Sequence, residues 1–172
     1  MKPTITLATT TTPDGQVLSL CQHDRDFMIR VGRDDLMSSR RHASEDALGR
    51  LGCERLAQHP NPAVLIGGLG MGYTLRAALD VLPPGATVVV AELLPAVVEW
   101  NRGLLGDLAG HPLRDPRIEV RTEDVFHVIN EFPGRFDAIL LDVDNGPHAM
   151  TSADNHRLYG PRGIEMMLSA LR

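Results

Sequence analysis

The chain is expected to fold as an α/β protein, a parallel sheet with helices on both faces, preceded by a small antiparallel β region. Three observations lead there. From residue 63 onward short apolar runs alternate with helix-spaced ones, and the turn Gly67-Gly68-Leu69-Gly70-Met71-Gly72 closes one such run and opens the next. The first forty residues are instead β-branched and broken by turns.

Thr4 to Thr12 is rich in β-branched residues, Pro13-Asp14-Gly15 is a turn, and Val17-Leu18-Ser19-Leu20 and Phe27-Met28-Ile29-Arg30-Val31 have the composition of short strands. Residues 1–40 are therefore expected to form a β-hairpin region, and residues 41–172 the main domain with a leading helix. That helix begins at about Ser44 as its N-cap, places Ala47, Leu48, Leu51 and Leu56 on one side, and is ended by Pro60 and Pro62. The alternation follows: a strand over Ala63 to Ile66, a helix over Tyr73 to Leu82, a strand over Ala86 to Ala91 and a helix over Ala96 to Leu105. It continues with a strand over Arg117 to Arg121, a helix over Asp124 to Phe132 and a strand over Phe136 to Asp142. Parallel strands need a crossover, and the helices supply it. A last helical stretch, Asn155 to Leu171, contains Pro161 and Gly163 as interruptions. Four strands follow residue 62 where a doubly wound sheet has roughly five to seven. The sheet is thus expected to be shortened at its C-terminal side and to keep an open edge that a second copy of the chain would cover, favouring a homodimer.

With 172 residues and 43% hydrophobic content the chain can bury a substantial core. Seventeen Lys and Arg stand against 22 Asp and Glu, a net −5, so a polyphosphate backbone is repelled and nucleic acid is not an expected partner. Cys21 and Cys53 lie far apart without a ligand cluster, and His23, His59, His111 and His127 share no ligand spacing, so neither a disulfide framework nor a metal is expected. No apolar run approaches the ~20 residues of a membrane span, and Met1 to Gly15 lacks the apolar core of a signal peptide. A cytoplasmic protein without membrane contact is the expectation.

A strand that ends in Gly-Gly-x-Gly-x-Gly and runs at once into a helix lets a ligand reach the backbone and its free amides. A dinucleotide fingerprint counted from Gly68 needs glycine at 73, where Tyr73 stands; the order Gly68-x-Gly70-x-Gly72 resembles instead the first motif of the class I methyltransferase superfamily. Glu92, at the end of the next strand, is placed to accept from both hydroxyls of a ribose. Glu123-Asp124, after the third strand, lies at the same edge of the sheet, where a carboxylate can accept from an adenine amino group. Gly67, Gly68, Gly70, Gly72, Glu92, Glu123 and Asp124 are the candidate nucleotide-binding residues. Trp100, beside Val97 and Val98, is expected to pack a helix on the sheet.

The run Val64 to Arg76, the strand end Val89-Val90-Ala91-Glu92, the Glu123-Asp124 pair, Phe136 to Asp142 and a helix entered near His42 to Glu45 together resemble the spermidine synthase family. The resemblance implies a Rossmann-like class I methyltransferase fold. It also implies that decarboxylated S-adenosylmethionine gives its aminopropyl group to an amine, with Glu92 on the ribose, Asp124 on the adenine and Asp142 facing the amine. Asp142 then has a physical task. An alkylamine with a pKa near ~10 is protonated at neutral pH, and a carboxylate can take its proton and aim its lone pair. Glu45, Asp144, Asn145 and Tyr159 are the candidates for the acceptor side.

The chain departs from that family on the substrate side. Gly70 stands where the family carries an Asp expected to hold the aminopropyl ammonium. Asp142-Val143-Asp144-Asn145-Gly146-Pro147 replaces an Asp-x-x-Asp-Pro, and Ala43-Ser44-Glu45 stands for a Tyr-His-Glu. Two further readings therefore stay open beside the aminopropyltransferase. One is a methyltransferase using intact S-adenosylmethionine, since a missing acid at 70 removes a repulsion against the ligand's carboxylate. The other is a non-catalytic nucleotide-binding or assembly protein.

Overall fold

The computed structural model of the chain describes residues 3–143 and 158–172. Strands β1 (Ile5–Thr11), β2 (Val17–His23), β3 (Asp26–Val31) and β4 (Asp34–Ser38) form an antiparallel sheet in that order. The expected hairpin is thus a four-stranded meander. Its later turns are made at Asp24 (φ 57°) and Gly32 (φ 59°), and the polar composition of Asp34-Asp35 conceals the fourth strand.

Helix α1 (Ala43–Cys53) follows, with His42 rather than Ser44 at its N-cap and no side-chain cap bond. Leu51 is 57% exposed instead of joining the apolar side, because Gly49 makes the close contact: a Cβ there would lie 2.3 Å from the Thr74 carbonyl oxygen.

Then the alternation appears: β5 (Ala63–Gly67), α2 (Tyr73–Val81), β6 (Thr87–Ala91), α3 (Pro95–Arg102), β7 (Ile118–Arg121), α4 (Val125–Glu131), β8 (Ala138–Leu141) and α5 (Pro161–Ala170). All four strands are parallel, in the order β7-β6-β5-β8. Pro161 does not interrupt α5 but starts it, occupying the first turn where its missing N–H costs no helical bond.

Period-two alternation divides β5 and β6 between two cores. Val64, Ile66, Val88 and Val90 pack with α2, α3 and the N-terminal sheet residues Leu18, Leu20, Ile29 and Val31. Ala63, Leu65, Val89 and Ala91 pack with Val125, Val128 and Ile129 of α4 and Ala170 of α5. Burial on both faces is what a parallel sheet requires, and each fully buried Leu, Ile or Val contributes roughly 1.5–3 kcal/mol. Trp100 is 6% exposed within the first core. The Arg117 guanidinium donates to the Leu79 and Leu82 carbonyls at 3.1 and 2.7 Å, closing the end of α2, and is held by Asp115 at 2.7 Å. Among the described residues no helix is long and apolar enough to cross a membrane.

Candidate active site

Strand register builds the site. Gly67 pairs with Ala91 and Leu141, and Ala91 with Arg121, so four C-terminal strand ends lie level. The ladder runs one step further: Gly68 N–H donates to the Ala91 carbonyl (2.8 Å), Glu92 N–H to Arg121 (3.0 Å) and Asp142 N–H to Gly67 (2.8 Å). Glu92 and Asp142 therefore flank Gly68, two strand spacings or about 10 Å apart.

The glycine turn has positive φ at Gly68 (90°), Gly70 (51°) and Gly72 (84°). At Gly68 a Cβ would sit 2.2 Å from the Asp142 carbonyl oxygen, and at Gly70 it would sit 2.7 Å from the Met37 Cε. Glycine is required at the first by backbone on backbone. Side chains hold the rest of the turn. The Leu69 N–H donates to Glu92 Oε2 (2.9 Å), the Met71 N–H to the Met37 sulfur (3.2 Å), and Asn101 Nδ2 donates to the Gly70 carbonyl (2.8 Å).

Above the turn lies a cavity of about 250 Å³. One wall is the N-terminal sheet, through Leu18, Ile29, Leu36 and Met37. The other is the strand-end edge, carrying Gly68, Gly70, Glu92, Asp124 and Asp142, with Leu93, Leu94, Val97 and Val125 between, and Glu45 joins from the first turn of α1. Four carboxylates line this space, and among the described residues no Lys, Arg or His does.

Each carboxylate is held differently. Glu92 is 8% exposed; its Oε1 accepts from the Leu94 N–H at 2.9 Å, and its Oε2 from Leu69. Burial pushes its pKa up while these backbone bonds pull it down, and burial wins. Asp142 Oδ2 accepts from the Thr74 hydroxyl at 2.6 Å. Burial raises its pKa too, the Thr74 bond opposes this, and the Glu45 charge adds to the rise. Asp124 caps α4, its Oδ1 accepting from the Phe126 N–H at 2.8 Å.

Of the residues singled out in the sequence, Gly68, Gly70, Glu92, Asp124, Asp142 and Glu45 line the one cavity. Gly67 ends β5 packed against Val125, and Gly72 is the left-handed N-cap of α2; both shape the turn from behind. Glu123 is paired with the Arg121 guanidinium at 2.7 Å and is not part of the lining. Tyr159 is 45% exposed just before α5 and does not line the cavity either. Asp144 and Asn145 lie outside the described residues. His42 stacks on Tyr73 with centroids 3.9 Å apart and pairs with Asp46 at 2.8 Å.

Sequence reasoning passed over Thr74, Asn101, Met37 and the apolar wall. Met37 and that wall reach the site from another sheet, and nothing in their local pattern marks them. Thr74 carried a signal, as a hydroxyl in the first turn of the helix that follows the glycines.

Comparison with known proteins follows the same outline. No protein-family model matches the chain. Over 88 residues, 51% of this chain and 31% of each relative, it is 36% identical to the polyamine aminopropyltransferase of Thermoanaerobacter sp. (strain X514), 33% to that of Bacillus subtilis (strain 168) and 34% to that of Clostridium tetani (strain Massachusetts / E88). In three dimensions it matches spermidine synthase from Thermotoga maritima with a TM-score of 0.75 and 18% identity, over 97% of this chain and 54% of that one. A spermidine synthase in complex with the transition state analogue AdoDATO gives 0.73 and 17% identity, over 97% and 53%. The chain therefore spans about half the length of the solved proteins it matches, and at these identities the structural likeness speaks for the fold.

Proposed function

We propose that this chain belongs with the spermidine synthase family, that it binds decarboxylated S-adenosylmethionine across the ends of β7, β6 and β5, and that it transfers the aminopropyl group to an amine entering over β8. The observation that carries the reading is the charge of the cavity: four carboxylates and, among the described residues, no basic side chain. Such a site suits a sulfonium bearing an ammonium. An intact S-adenosylmethionine would bring its own carboxylate into this field with no cation to meet it, which opposes the loss of repulsion expected from Gly70 alone. Neither methyl transfer nor a purely binding role draws support from the relatives, which are named for aminopropyl transfer.

In this reading the nucleoside lies over β6 and β7, where Glu92 takes the ribose hydroxyls with the lone pairs its two backbone donors leave free, and Asp124 takes the adenine amino group. The sulfonium sits above the glycine turn. The acceptor amine enters over β8 beside Asp142 and Glu45. It loses a proton to the Asp142 carboxylate, and its lone pair attacks the methylene carbon bonded to sulfur. The C–N bond forms as the C–S bond breaks, and the sulfur keeps the electron pair, leaving neutral methylthioadenosine. Burial of Asp142 supports this role, because a carboxyl held above its ordinary pKa is a stronger base once ionised. The Thr74 hydroxyl, donating to Asp142 Oδ2, anchors this carboxylate at the cavity wall. Asp144, Asn145 and Tyr159 stay candidates for the acceptor side, and a homodimer closing the β8 edge belongs to the same proposal.

The test is turnover. Incubation with decarboxylated S-adenosylmethionine and a panel of primary monoamines and diamines should release methylthioadenosine stoichiometrically with an aminopropylated product. Release that does not depend on the amine, or no release with any of them, contradicts the transferase reading.

A further inference from the structure

Asn101 is a fully polar side chain in the most buried part of α3, 1% exposed between the apolar residues Val97, Val98 and Trp100 of that helix and the back of the glycine turn. Its Nδ2 donates twice, to the Val97 carbonyl one turn back in its own helix (2.9 Å) and to the Gly70 carbonyl 31 residues earlier in the chain (2.8 Å). Its Oδ1 is buried and has no partner. That oxygen faces Gly72, where an added Cβ would lie 3.0 Å away. A leucine has nearly the same volume and would fill this space without an orphaned acceptor, so the contribution of the amide lies in its two donors.

What those donors join is informative. Gly70 lines the cavity at φ 51°, a left-handed conformation outside any sheet ladder. Helix α3 descends from Glu92, Leu93 and Leu94, which line the same cavity one strand over. A single side chain therefore ties the turn after β5 to the segment after β6, two of the segments that face the candidate ligand.

We infer that Asn101 is a positioning residue for the co-substrate, fixing the Gly70 carbonyl and with it the shape of the glycine turn that receives the nucleoside. The inference rests on the nucleoside reading of the cavity. It predicts a loss of binding that exceeds any loss of stability. A residue that merely filled the core would cost stability and leave the affinity of the folded fraction alone.

The measurement is calorimetric titration of methylthioadenosine into wild type, Asn101→Ala and Val98→Ala, with the thermal midpoint of each. Val98 is 2% exposed in the same helix and does not line the cavity, so it reports the effect of a hole in this core. Asn101→Ala is expected to bind at least ten-fold more weakly than Val98→Ala at a comparable midpoint. Affinities within two-fold of each other overturn the inference and leave the nucleoside reading standing. Failure of the wild type to bind overturns both. Should Asn101→Ala not fold, the wild type still decides. The Asn101 side-chain amide resonances should shift and exchange with solvent more slowly on addition of methylthioadenosine, and unmoved resonances in a protein that binds refute the assignment.

Discussion

Replacing Gly68 with alanine sets a methyl group against backbone. The residue has φ 90°, and the new Cβ would lie 2.2 Å from the Asp142 carbonyl oxygen. The left-handed conformation costs an L residue about 1–2 kcal/mol. The contact needs roughly 1 Å or more of relief, which only movement of the main chain can give. That movement pulls on the Asp142 N–H bond to the Gly67 carbonyl, a further ~1 kcal/mol, and on the neighbouring ladder. These two terms alone come to about 2–3 kcal/mol, or a fall of roughly 4–12 °C in the thermal midpoint of a domain of this size. Gly134→Ala is the matched control: φ is 62° and no atom lies within 4 Å of its added Cβ, so it carries the conformational cost without the clash. Calorimetry on the two variants should show Gly68→Ala losing about twice as much stability or more, and it alone losing methylthioadenosine binding. Equal losses, or retained binding by Gly68→Ala, would refute the close approach of β5 and β8 on which the site geometry depends.

Asp142→Asn should cut aminopropyl transfer by roughly 10²–10⁴-fold, as expected for a lost proton acceptor, with methylthioadenosine affinity changed less than about three-fold. Since burial holds the folded-state pKa of Asp142 above its unfolded value, ionisation disfavours the fold as pH rises through that interval. The variant should therefore melt above the wild type at pH 7, with the gap closing below about pH 4; a midpoint below wild type at pH 7 contradicts the assignment. Asp115 behaves oppositely: the Arg117 guanidinium lowers its pKa to about 2, so its stabilisation is complete above the unfolded value near ~3.9 and fades as pH falls toward 2. Asp115→Asn should show a stability deficit at pH 6 that shrinks steadily as pH falls below about 4 and is mostly gone by about pH 2, and a deficit independent of pH would refute the ion-pair origin.

What could be read ahead of the structure was what local pattern determines. The apolar runs around Leu65, Val89 and Leu140 give the strands, and the glycines mark the turn. Glu92 and Asp124 are legible because a parallel sheet delivers its strand ends to one edge, so position along the chain translates into position in space. Pro161 was misleading, since a proline reads as a breaker unless the helix is known to start there. Ser44 was misleading as well, since α1 is positioned by Gly49 against the Thr74 carbonyl rather than by a cap. Met37, Leu36 and Asn101 could not be found from local pattern. Their roles come from contacts made with segments some 31 or more residues away, and neither hydrophobic period nor motif spacing records such contacts.

The central claim is that an acidic cavity at this sheet edge selects a sulfonium nucleoside without a carboxylate. Side-by-side calorimetric titration of the wild type with decarboxylated S-adenosylmethionine, S-adenosylmethionine and methylthioadenosine tests it most directly. The decarboxylated ligand should bind at least ten-fold tighter than the intact one, a difference of about 1.4 kcal/mol or more. Equal or tighter binding of intact S-adenosylmethionine, or no binding of any of the three, would contradict it.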